Sequence, residues 1–261
     1  MKLGICIGCL SKEGDPHGFG SAAAMKEAGY SYMELNITTF TKMTDEEFAA
    51  FEAEVKASAL PAEAAACLFP GDIDLYGDQT AAVQWLEKAV DRAARLGIRS
   101  MVFGSGSARK CPAGMTREAA FEKLTALLKK AGPIATGKDV TLVIEPLCKR
   151  ETDMINETGS GAELARAVDH PNVKLLVDYY HYGIENDKLD PKNVPLIAHA
   201  HCAELSKRTC PTEVDDDFAA FFKVLKENGW DGRISFEGGA GSLSREEFVE
   251  NLKKFPALLG L

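Results

Sequence analysis

Eight short apolar runs, each followed by a longer stretch of helical periodicity, constrain this chain more than any other feature. The runs are Lys2–Gly8, Tyr32–Asn36, Ala64–Phe69, Ser100–Ser105, Val140–Pro146, Val173–Tyr179, Ile197–Ala203 and Arg233–Gly238. VTLVIEP and VKLLVDY are nearly continuous in apolar residues before a polar one closes them. Strands buried on both faces have that pattern. The intervening stretches carry helix punctuation. Thr44 with Glu47, and Ser244 with Glu247, fit the Ser/Thr-x-x-Glu capping box. TAAVQWLEKAVDRAARLG stops at Gly97, REAAFEKLTALLKKAG is expected to stop at Gly132, and DDFAAFFKVLKENG at Asn228–Gly229. With 261 residues, each strand–helix unit averages about 33. This spacing predicts a single-domain α/β protein, a (β/α)₈ TIM barrel over residues 1–261. A Rossmann fold would place G-x-G-x-x-G after the first strand, and the chain has none there. The loops after Cys9, Phe69 and Gly104 are the longest and are expected at the catalytic rim as possible lids.

The formal net charge of −9 argues against a broad phosphate-binding footprint, so no nucleic-acid partner is expected. The start, MKLGICIGCLSKEGD, meets Gly and charge too soon for a secretory signal. No run reaches the roughly 18 apolar residues of a membrane span. The expectation is a soluble, cytoplasmic protein with no membrane partner. Seven cysteines, an odd number, fit reduced thiols better than a disulfide framework. Cys6 and Cys9 form a C-x-x-C, but within an apparent strand and without a second pair at zinc spacing.

A barrel's chemistry sits at the C-terminal ends of its strands. Strand five ends in Glu145. Strand six ends in Asp178, with His181 just beyond. Strand seven carries His199, His201 and Glu204, and strand eight ends in Glu237. One such residue would be unremarkable as a solvated carboxylate or a core histidine. Four consecutive strands ending in ligand types are harder to explain separately, because three carboxylates converging at one mouth repel strongly unless a cation neutralises them. The metal set expected is Glu145, Asp178, His201 and Glu237. Alternation puts His199 on the same face as His201 but deeper. Three oxygen ligands and one imidazole suit one divalent ion, manganese first, with magnesium, cobalt or zinc as other fits. The GSG at Gly104–Gly106 could approach a phosphate, but a tight turn explains it equally well.

These residues resemble the xylose-isomerase-like barrels, in particular the sugar phosphate isomerase/epimerase group with ketose 3-epimerases and hydroxypyruvate isomerase. AGYSYMELN, LFPGDIDLYG, FGSGSARKCPAGMTREAA, EPLCKRET, VDYYH, HAHCAE and FEGG carry the resemblance across nearly the whole chain. It implies that Glu145, Asp178, His201 and Glu237 bind the metal, and that Glu145 and Glu237 are catalytic acid and base. It implies an enediolate formed by proton loss beside the carbonyl of a small carbohydrate. Substrate contacts would come from Glu151 and His181, with Lys207 or Arg208 nearby and His199 deeper in the pocket. The sequence departs from the group twice: Lys207 stands at the position of an Arg, and Cys148 where many relatives carry Asn. Homodimers or homotetramers are common in the group. The same site could instead serve a dehydratase of an inosose- or dehydroshikimate-like polyol ketone. A repair endonuclease would need many more histidines than the five present. A non-catalytic carbohydrate-binding protein would most simply lack part of the ligand set.

Overall fold

The computed structural model describes residues 1–260. Eight parallel strands pair in sequence order and close on themselves. They are β1 (Lys2–Cys6), β2 (Tyr32–Asn36), β3 (Ala62–Ala66), β4 (Ser100–Phe103), β5 (Thr141–Ile144), β6 (Val173–Asp178), β7 (Ile197–Cys202) and β8 (Arg233–Phe236). Closure is made where Lys2–Ile5 pair with Arg233–Phe236. The chain is therefore a single (β/α)₈ barrel, as the alternation predicts.

Strand alternation sorts the apolar residues into two layers. Ala65, Met101, Leu142 and Val177 belong to the large core between strands and helices. Their neighbours Ala66, Val102, Val143 and Leu176 form a separate small cluster, which alternation places inside the barrel. On β2, β7 and β8 the inward positions are polar instead: Glu34, His199, His201 and Ser235 are all buried. The barrel interior is thus apolar on one side and hydrogen-bonded on the other.

The helices begin where their caps lie. Thr44 and Ser244 each make the reciprocal capping box that the sequence shows, opening helices Asp45–Ala57 and Arg245–Leu258. Helix Thr80–Leu96 ends at Gly97 in the left-handed region, and helix Asp216–Glu227 ends before Asn228. The stop expected at Gly132 does not occur. Helix Arg117–Thr136 runs through Gly132 and Pro133. Gly132 has a packing role there: a Cβ would lie 2.5 Å from the His170 ring. The first strand also ends sooner than expected. It stops at Cys6, and Cys9 lies in the 3-10 turn Ile7–Leu10. Among the described residues no helix is long and apolar enough to cross a membrane.

Candidate active site

Glu145, Asp178, His201 and Glu237 converge at the C-terminal end of the barrel. Each offers a ligand atom within 4.8 Å of the others'. Backbone ladders aim them. Glu145 N–H donates to Phe103 O at 3.2 Å and Glu237 N–H to Cys202 O at 3.1 Å, extending β5 and β8 by one residue. Asp178 both ends β6 and caps the short helix Tyr179–Ile184, its Oδ1 accepting from Tyr180 N–H at 2.9 Å. Its other oxygen, Oδ2, is buried and makes no hydrogen bond, with Arg208 Nη2 3.6 Å and His181 Nε2 3.5 Å away. An ionised oxygen in that position is costly, and the guanidinium near it is already hydrogen-bonded to Glu151 and Glu237. This oxygen, beside two more carboxylates and an imidazole, completes a donor set that fits a divalent ion.

The charges divide unevenly. Burial, reinforced by the Glu237 charge, pushes Glu145 above the usual carboxylate range. Burial also raises Asp178 to about 7, against the pull of Arg208. Burial acts on Glu237 too, but His201 and Arg208 outweigh it and hold the carboxyl at about 2. His201 Nδ1 lies 3.1 Å from Glu145 Oε1 and 3.4 Å from Glu237 Oε2.

His181 is buried beside this set. Burial and the nearby Arg208 charge depress it to about 3, so the ring is neutral. Its Nδ1 accepts the Cys148 backbone N–H at 3.1 Å. The ring proton must then be on Nε2, which points toward Asp178 Oδ2 at 3.5 Å. His181 is therefore a hydrogen-bond donor to the site. Cys148 contributes its backbone here.

The loop after β7 decides which basic residue reaches the site. Glu204 folds that loop onto itself, accepting from Ser206 N–H and Oγ, Lys207 N–H and Thr209 Oγ1. Lys207 is turned outward, its Nζ 3.2 Å from Ser242 Oγ. Arg208, held at φ 53°, points inward. Its Nη1 donates to Glu151 Oε1 at 3.1 Å and its Nη2 to Glu237 Oε2 at 2.5 Å, with the guanidinium 4.8 Å from the Tyr180 ring centroid. Gly238 makes room for this turn, since a Cβ there would lie 2.2 Å from Arg208 O. Glu151 is the most open member of the group. His199 is sealed beneath the site, bonded to Glu34 rather than facing the mouth.

Sequence reasoning missed Glu34. It lies on β2, and its carboxylate bonds both His199 and His201. The signal was present: an acidic residue between Met33 and Leu35 in a buried run is the same anomaly that exposed Glu145 and Asp178. Arg109 was missed as well. It is fully buried and shares the Phe103 carbonyl with Glu145 N–H, through Nη1 at 3.0 Å. Nothing in the spacing of its exposed-looking loop sequence marked it.

The family model for the xylose isomerase-like TIM barrel matches residues 22–257. The chain belongs to that family. Curated relatives are sugar epimerases and isomerases. The 3-dehydro-D-guloside 4-epimerase of Escherichia coli (strain K12) is 23% identical over 225 residues, covering 82% of this chain and 84% of the relative. The L-ribulose 3-epimerase of Mesorhizobium japonicum is 28% identical over 200 residues, covering 72% and 64%. For some relatives, including the putative hydroxypyruvate isomerase of Danio rerio, the match spans about half the relative's length, 49%. The crystal structure of D-psicose 3-epimerase in the presence of D-fructose superposes with a TM-score of 0.80 at 18% identity, covering 98% of this chain and 97% of that one. At that identity the likeness bears on the fold alone.

Proposed function

We propose that this xylose isomerase-like barrel is a metal-dependent epimerase or isomerase of a small ketose or related hydroxy-carbonyl sugar. The carrying observation is the pairing of Glu145 and Glu237 about His201 Nδ1, with Asp178 completing a cluster whose ligand atoms lie within 4.8 Å of one another. Glu145, Asp178, His201 and Glu237 would hold one divalent ion, with manganese the best match to three carboxylates and an imidazole. When bound, such an ion polarises a substrate carbonyl and offsets the negative charge that develops beside it.

The residues supply the proton chemistry. Their surroundings push the two glutamates apart in acidity, which suits one donor and one acceptor. Glu237, the stronger acid and so ionised, takes the proton from the carbon beside the carbonyl. Glu145 returns a proton, to the opposite face of the same carbon or to its neighbour. The first outcome is epimerisation and the second aldose–ketose isomerisation. His181 Nε2–H donates to a substrate oxygen. Arg208 and Glu151, already paired, orient the hydroxyls at the far end. The names of the curated relatives support this reading, because 4-epimerases of 3-keto sugars and 3-epimerases of 2-ketoses both act at a carbon next to a ketone.

The test is a panel of ketoses and keto-glycosides incubated in heavy water with manganese after metal content is measured. Deuterium should enter at a carbon adjacent to the carbonyl. A protein carrying stoichiometric metal that exchanges no such proton on any substrate would sink the reading. Loss of water to give a conjugated chromophore would instead identify a dehydratase.

A further inference from the structure

Four of the expected site residues come from β5 to β8, yet the imidazole among them is held from across the barrel. Glu34, on β2, is 1% exposed. Its Oε1 accepts from His201 Nε2 at 3.0 Å. Its Oε2 accepts from His199 Nε2 at 2.9 Å and from Ser235 Oγ at 2.5 Å. Ser235 spends its one proton on Glu34, so the Tyr32 hydroxyl, 2.9 Å away, donates to Ser235. The register of β2 against β3 shifts between Met33 and Glu34, an irregularity of the kind that re-aims a side chain.

We propose that Glu34 is a positioning residue that selects the tautomer of His201 and thereby the nitrogen His201 offers to a metal. The argument is one of donor and acceptor count. The two oxygens of this carboxylate are acceptors, and each faces an imidazole Nε2, Oε1 at 3.0 Å and Oε2 at 2.9 Å. Both histidines must therefore carry hydrogen on Nε2. For His201 that leaves Nδ1, which lies 3.1 Å from Glu145 Oε1 and 3.4 Å from Glu237 Oε2, as the nitrogen not held by Glu34. Carboxylate-to-imidazole contacts of this kind fix ring orientation and raise ligand basicity. His199 braces the far side of the carboxylate, its ring set edge-on to His201 at 5.1 Å. It makes no hydrogen bond to the four expected ligands, so its role is to occupy Glu34 Oε2 and keep Oε1 on His201.

This inference rests on the metal reading above, and its test separates the two. Zinc affinity is measured by calorimetry for the wild type, Glu34→Gln and Glu34→Asp, with thermal unfolding of each metal-free protein as a control. An amide must present its NH₂ to one of the Nε2–H groups, so Glu34→Gln should weaken zinc binding about 10- to 100-fold. Glu34→Asp should recover part of that loss. In parallel, long-range proton–nitrogen correlation on zinc-loaded, ¹⁵N-histidine-labelled wild type should show His201 bound through Nδ1 and protonated at Nε2. Glu34→Gln binding zinc within twofold of wild type overturns the proposal alone, as does an Nε2-bound His201. If Glu34→Gln does not fold, the wild-type spectrum decides. A wild type that binds no divalent ion overturns the metal reading, and this proposal with it.

Discussion

Arg208 Nη2 donates to Glu237 Oε2 at 2.5 Å, tying the loop after β7 to the end of β8. The same guanidinium reaches Glu151 on the loop after β5 through Nη1. One side chain thus links three strand ends around the mouth. Lys207, its neighbour, faces Ser242 on the outer surface.

This division makes the two basic residues separable. Arg208→Ala should lower kcat/KM by about 10- to 100-fold, the usual cost of losing hydrogen bonds to charged groups. Lys207→Ala should leave it within about twofold, because exposed pairs contribute little. Steady-state kinetics on whichever substrate the exchange assay identifies would check both. A larger effect at Lys207 than at Arg208 would refute the assignment.

The acid–base pair predicts a shared phenotype. Glu145→Gln and Glu237→Gln each keep a ligand oxygen but cannot exchange a proton. Each should reduce kcat by roughly 10²- to 10⁴-fold, the range for a positioned acid or base. Solvent deuterium uptake should fall with turnover in Glu237→Gln, since abstraction is the step removed. Uptake at the wild-type rate in that variant would show that another group takes the proton.

Metal binding should tighten with pH. Asp178, raised to about 7 in the folded protein, keeps its proton well above the usual carboxylate range near 4. Between these values the metal-free fold binds more protons than the unfolded chain. Its contribution to stability is therefore full below about pH 4 and is lost as pH rises through 7. An ion must displace that proton, so apparent affinity should rise with pH through this window. Titrations with manganese from pH 5 to 8, alongside melting of the metal-free protein, would measure both trends. A flat affinity profile from pH 5 to 7 would contradict the assignment of Asp178 as a ligand.

Gly238 allows the loop after β8 to pass Arg208. A methyl group 2.2 Å from the Arg208 carbonyl cannot be relieved by turning a side chain, because the obstacle is backbone. Gly238→Ala should destabilise the fold by about 1–3 kcal/mol, typical of overpacking, and should misplace the guanidinium. A melting temperature and kcat/KM both unchanged would mean that the two loops move apart freely.

The sequence by itself determined the barrel, because strands buried on both faces and helices with caps leave local marks: apolar runs, Thr44 with Glu47, Ser244 with Glu247, a glycine at 97. It also pointed to Glu145, Asp178, His201 and Glu237, since a polar residue closing an apolar strand is visible without coordinates. Tertiary structure alone decided what those residues touch. Gly132 reads as a helix stop, but the His170 ring packed against it explains its presence within a continuous helix. Lys207 and Arg208 are adjacent in sequence, but four hydrogen bonds to Glu204 fold the loop, and it is Arg208 that meets Glu151 and Glu237. Glu34 pairs with His201 from 167 positions away in the chain. A contact of that range leaves no periodicity in sequence, because barrel closure, not local geometry, brings its two ends together.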